Sequence, residues 1–137
     1  NDLKELTHDL QISSYVKFLG GVYDPEILGK YLLESSVYVL AGMGGISIND
    51  AMCFGLPVLV SVGDGTEKIL VREGVNGKYF KDGSEQDLYM KLKWFVENQN
   101  QLSRMGRESI RIIKNDVNIK TVITEYKKSF NFVTKAN

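Results

Sequence analysis

The sequence predicts an α/β fold, a parallel sheet with flanking helices, and three observations carry that expectation. "VYVLA" at 37–41 and "PVLVS" at 57–61 are continuous apolar runs, as expected of parallel strands covered on both faces. Between them lie a glycine turn and one short helical stretch, so the core is a strand, helix, strand unit. From Ser84 onward the apolar residues recur at helical spacing.

The elements follow in order. Residues 2–12 place Leu3, Leu6, Leu10 and Ile12 near helical spacing, a short amphipathic helix with His8 on its polar, surface side. "YVKFLG" at 15–20 alternates apolar and polar residues before Gly20 and Gly21, the mark of a strand with one wetter face. Asp24 then caps a helix, Pro25 suits its first position, and Ile27, Leu28, Tyr31 and Leu32 line one stripe ending near Ser35. "NGKYF" at 76–80 reads as a further short strand. Leu88, Leu92, Trp94 and Phe95 belong to one helix, Leu102 to Ile113 to another and Val117 to Phe130 to a last one; Trp94 and its aromatic neighbours read as packing.

With 137 residues, 43% of them hydrophobic, the chain is long enough for one domain with its own core and no disulfides. The single cysteine, Cys53, cannot form an internal bridge and reads as a small buried core residue in a reducing, cytoplasmic setting. Catalysis by Cys53 would need a nearby base, and the only histidine, His8, is remote in sequence. Basic and acidic residues number 17 each, so no global field steers the chain toward nucleic acid. Arg104, Arg107, Arg111, Lys114, Lys120, Lys127 and Lys128 are interleaved with Glu108, Asp116 and Glu125, which makes a solvated helix face and not a phosphate track. No apolar run approaches the roughly 18 residues of a membrane span and no signal-peptide pattern opens the sequence, so the protein is expected to be soluble.

The glycine turn is the informative stretch. Ser47, three residues before Asp50, has capping-box spacing, so a helix over 48–54 is expected to start there, with Gly55 ending it and Pro57 preventing its continuation. Its amino end faces Gly42, Gly44 and Gly45. Unpaired N–H groups and a partial positive charge at such an end make an anion site, and glycine admits a phosphate to the backbone. After Ser61 a second turn, "VGDG", leads to another helix start, where Asp64 is a candidate cap and Glu67 could close a capping box. Ligands of parallel sheets bind beyond the carboxyl ends of the strands, where both turns are expected. Two other readings stay open: glycines that only let the chain turn sharply, and a dinucleotide fingerprint, since Gly42-x-Gly44 follows a strand and Asp64 lies about twenty residues on. The fingerprint fits loosely, with Ser47 at its third glycine position.

In the order "VKFLGGV", "LGKYLLESSVYVLAG", "INDAMCFGLPVLVS", "DGTEKILVREGVNGKYF" and "LSRMGRESI", the chain resembles the C-terminal, donor-binding half of retaining GT-B glycosyltransferases, the glycosyl-transferases group 1 family. The resemblance runs over nearly the whole chain. It implies a Rossmann-like domain holding a nucleotide-diphosphate sugar, with no separate cofactor and no metal. In the family two acids with seven residues between them flank the turn, one on the donor sugar and one on the ribose. The second maps onto Asp50, for which a simple helix cap is the alternative; the first falls on Gly42, and some members carry a glycine-rich turn there. The resemblance further implies that the N–H groups of Met43, Gly44 and Gly45 hold the diphosphate and that Thr66 and Glu67 contact the donor. No catalytic residue is assigned.

The family's C-terminal domain opens with two strand-helix units carrying an Arg and a Lys, and a separate N-terminal domain binds the acceptor, a glycan or lipid. Neither is among these residues, so the chain reads as part of a longer enzyme that transfers a hexose to an acceptor hydroxyl with retention. Peripheral membrane association of that enzyme is a further implication. In a strand order 3-2-1-4-5-6 the strand at 15–20 would be cut off from those at 37–41 and 57–61. The gap is expected to be filled by other residues or a partner chain, or the first strand to pair abnormally. A nucleotide-binding module without catalysis, a nicotinamide-binding domain and a sugar-nucleotide epimerase are the alternatives.

Overall fold

The structure is a computed structural model that describes residues 2–42, 45–62 and 65–135, apart from the side chains of Thr66 and Lys135. Where chain length suggested one domain, the residues form two compact units, Asn1–Lys30 and Tyr31–Asn137.

In the first unit, α1 (Asp2–Asp9) ends where Gln11 adopts a left-handed conformation. None of its residues is buried, and Leu3, Leu6 and Leu10 stand exposed along one side. The strand expected at 15–20 does not form. A 3-10 turn, Ser13–Tyr15, runs into extended backbone at Val16, which joins no sheet among the described residues. Alternation can extend a backbone, but a strand also needs a neighbour to complete its ladder. The start of α2 (Pro25–Glu34) matches expectation, with the amides of Glu26 and Ile27 donating to the Asp24 carboxylate at 2.9 and 3.1 Å.

The second unit is built on a three-stranded parallel sheet in the order β1 (Tyr38–Leu40), β2 (Val58–Ser61), β3 (Gly77–Phe80). Leu40 pairs with Val60 and Val60 with Tyr79, so the three carboxyl ends share one edge. All four residues of β2 are buried, as its unbroken apolar run requires. Val58 and Val60 face a core shared with Ile48 and Met52 of α3 (Ile46–Cys53), Leu70 of α4 (Thr66–Leu70) and Ile112 of α6 (Gln99–Asn115). Leu59 points the other way, onto Phe80, Met105 of α6 and Phe95 of α5 (Glu85–Glu97). Successive β2 side chains thus feed the two faces in turn, and α6 contributes to both. Trp94 packs edge-on against Phe95 and under the Lys78 ammonium, a packing role as expected.

β1 is an edge strand. A groove of about 490 Å³ lined by Val37, Val39, Leu92, Phe95, Val96 and Leu102 lies beside it. The final helix, α7 (Ile119–Lys135), keeps Ile119, Tyr126, Phe130 and Val133 exposed. No described helix is long and apolar enough to cross a membrane.

Candidate functional site

The register of β1 and β2 brings Ala41 and Ser61 side by side at the carboxyl edge, where the glycine turn leaves β1. Gly42 has φ +126°, a conformation that side-chain-bearing residues rarely adopt. Its N–H donates to the Ser61 hydroxyl at 2.9 Å, and that side chain is only 1% exposed. A Cβ at Gly42 or Gly45 would meet no atom within 4 Å. Close packing therefore does not explain either glycine, which leaves an approachable main chain. Met43 and Gly44, on which part of the expected site falls, lie outside the described residues.

α3 starts two residues earlier than the sequence suggested. Gly45, not Ser47, is its N-cap, and no side chain among the described residues caps it. The carbonyl of Gly45 accepts from the Ile48 amide at 3.2 Å, while helix geometry gives the N–H groups of Ile46 and Ser47 no intrahelical partner. Ser47 is exposed in that first turn, and Asp50 lies a turn further along, so the reading of Asp50 as a helix cap does not hold. Among the described residues no group hydrogen-bonds the half-buried Asp50 carboxylate. Ser47, Asp50 and Phe54 are spaced to share one side of the helix, at i, i+3 and i+7. Gly55, at φ +75°, ends the helix as expected, its amide donating to the Met52 carbonyl.

Cys53 is exposed, contrary to the buried position expected of a lone thiol, because it falls on the side of α3 opposite Ile48 and Met52. Partial burial of the sulfur, and then the nearby Asp50 carboxylate, raise its pKa.

The second turn is differently occupied. Gly65, at φ +105°, is the N-cap of α4, a helix of five residues. Both carboxylate oxygens of Glu67 accept its N–H, at 3.1 and 3.3 Å, and Glu67 is 2% exposed. The expected capping box has Asp64 as the cap and Glu67 three residues on; instead Gly65 is the cap and Glu67 reaches back two residues to it, while Asp64 lies outside the described residues. A carboxylate already sits at this helix start, whereas that of α3 has no side-chain partner among the described residues. Thr66 opens α4. The Tyr79 hydroxyl donates to the Val71 carbonyl at 2.7 Å and approaches that of Glu67, tying α4 to β3; burial, then Glu67 and Glu73, raise its pKa.

Sequence reasoning missed a cavity of about 380 Å³ at the same edge, lined by Ala41, Phe80, Asp82, Ser84, Glu85 and Leu88. It also missed Asn76, fully buried, whose amide oxygen accepts from the Arg72 N–H and whose NH₂ donates to the Leu70 carbonyl. The dipeptide Asn76-Gly77 signals a turn, but nothing local signals burial. Among the described residues no cluster of acids, histidines or cysteines could hold a metal ion.

A parallel sheet that directs a glycine turn and the start of a helix to its carboxyl edge is the arrangement of a Rossmann-like α/β fold. Residues 1–111 match the family described as glycosyl transferases group 1, and the chain belongs to that family. It is 30% identical over 100 residues to the uncharacterized glycosyltransferase MJ1069 of Methanocaldococcus jannaschii, covering 70% of this chain and 25% of that one. Anabaena HepE, solved with UDP, superimposes with a TM-score of 0.77 at 20% identity over 95% of this chain and 36% of HepE; it is also solved with UDP and glucose. The C-terminal domain of the group 1 protein LpcC from Francisella tularensis gives a TM-score of 0.76 at 15% identity, over 86% of this chain and 62% of that domain. The fold is thus that of the C-terminal half of a GT-B glycosyltransferase, and the chain spans a quarter of its curated relative and about a third of HepE.

Proposed function

We propose that this chain is the donor-binding part of a retaining hexosyltransferase, residues 1–137 forming part of its C-terminal nucleotide-sugar domain. The observation that carries the reading is the uncapped start of α3, set at the sheet's carboxyl edge behind two glycines with open space beside them. Family membership and the UDP bound by HepE support a sugar nucleotide as the ligand.

In this reading the main chain from Gly42 through Met43, Gly44 and Gly45 to Ser47 receives the diphosphate, and the Asp50 carboxylate accepts a hydrogen bond from a ribose hydroxyl. Thr66 lies at the second turn, where Glu67 holds Gly65 in place. The bond from the anomeric carbon to the diphosphate oxygen breaks and its electron pair stays with the diphosphate. The acceptor oxygen bonds to that carbon on the same face, and its proton passes to the departing diphosphate oxygen. Helix N–H groups stabilise the departing charge, a contribution made where negative charge grows. No separate cofactor is needed. Another part of the longer enzyme binds the acceptor, a glycan or lipid, with peripheral membrane contact there. The free, exposed thiol of Cys53 supports a cytoplasmic setting.

Gly45→Asp tests the reading in the full-length protein. A carboxylate at an N-cap stabilises a helix, yet it occupies the place proposed for phosphate. The melting temperature is expected to hold or rise while UDP affinity falls about tenfold or more, with Gly45→Ser as the uncharged control. A glycine turn without a ligand predicts the stability change and unaltered UDP binding. Release of UDP on adding acceptor separates a transferase from a binding module.

A further inference from the structure

We propose that Ser61 is a positioning residue, its hydroxyl holding the glycine turn in the shape that receives the donor. The inference rests on the reading of that turn as the diphosphate site.

Ser61 closes β2, a strand whose other members, Val58, Leu59 and Val60, are all apolar and buried. A hydroxyl in such a place requires a partner. Among the described residues it accepts from the Gly42 N–H at 2.9 Å, 19 residues away in the turn that follows the neighbouring strand. This is a tertiary tie and not a local turn bond.

Its target is the residue whose conformation most needs outside support. Gly42 sits at φ +126° with open space where a Cβ would be, so no packing fixes it. Uncommon backbone conformations persist where the surroundings over-determine them. Because a peptide unit is planar, fixing the Gly42 N–H fixes the plane between Ala41 and Gly42, and with it the direction in which the chain leaves β1. Ser61 is also the residue from which the second turn departs. One buried hydroxyl therefore sets the relation between both connections at the carboxyl edge.

The test uses Ser61→Ala, which removes the acceptor, and Ser61→Thr, which keeps it, in the full-length protein with UDP as the probe. The alanine variant should bind UDP about five- to tenfold more weakly, the range of one lost hydrogen bond, and the threonine variant within about twofold of wild type. Without ligand, the Gly42 amide should exchange with solvent faster in the alanine variant and at the wild-type rate in the threonine one. A merely structural serine would lower the melting temperature without this split in affinity. If the alanine variant binds UDP as wild type does while its Gly42 amide is deprotected, the positioning role is overturned alone. If the wild-type protein ignores UDP, the reading of the turn falls and this proposal with it.

Discussion

Gly106 of α6 lies so close to the carbonyl oxygen of Gly55, the residue ending α3, that no Cβ fits between the two backbones. The Ser109 hydroxyl, one turn on, donates to the Leu56 carbonyl at 2.7 Å and seals the same crossing. The contact sets how α3 lies on the sheet, and so where its free end meets the glycine turn.

Gly106→Ala should therefore destabilise the protein. Helix propensity favours alanine by about 1 kcal/mol, but overpacking against a backbone costs about 1–3 kcal/mol and occasionally more. The obstacle is a carbonyl that cannot rotate away, so the clash is expected to win. Urea denaturation should show a lower midpoint with an unchanged slope.

Alkaline pH should weaken the fold partly through Tyr79. Its pKa in the folded state is raised above 10, chiefly by burial, so the phenol keeps its proton in the native protein after the unfolded chain has lost it. The unfolded state then binds fewer protons and stability falls as pH rises, from about 10 up to the raised value. Tyr79→Phe should lose the hydroxyl tie to the Val71 carbonyl at neutral pH and show a shallower decline above pH 10. An equal decline in both proteins, measured by thermal melts across that range, would remove Tyr79 from the account.

Cys53 offers a probe of Asp50. Although the thiol is exposed, its raised pKa keeps the thiolate scarce at neutral pH, and the thiolate is the reactive form. Reaction with a disulfide reagent should be slow at pH 7 and accelerate with rising pH. Asp50→Asn removes the second of the two causes and should speed the reaction severalfold at fixed pH. No change in rate would mean that the carboxylate does not act on the sulfur.

The outer edge of β1, unpaired among the described residues, makes a further prediction. The Tyr38 amide donates to the Pro57 carbonyl at 3.0 Å, so in a strand the next amide, that of Val39, points away from the sheet. Val39 is 40% exposed, beside the apolar groove. Its amide should exchange rapidly in the 137-residue chain and become protected in the full-length protein, if another strand pairs there. Rapid exchange in both would leave β1 an edge.

Much of this protein was determined by its sequence alone. Unbroken apolar runs marked β1 and β2, Asp24-Pro25 marked the start of α2, and Gly55 before Pro57 marked the end of α3, because each rests on local backbone chemistry. The strand at 15–20 was not legible, since alternation sets an extended backbone while pairing depends on a neighbour. Nothing local marked Asn76 or Ser109 for burial, and only the packed chain shows Asn76 enclosed on the Leu70 carbonyl and Ser109 on that of Leu56, 53 residues away. The same holds at the site. The glycines announced a turn, but the difference between the two helix starts was decided in three dimensions, where Glu67 folds back onto Gly65 while no described side chain caps Gly45. Capping and turn preferences act over a few residues and can be read in order, whereas burial and the occupation of a helix end depend on what the rest of the chain brings alongside.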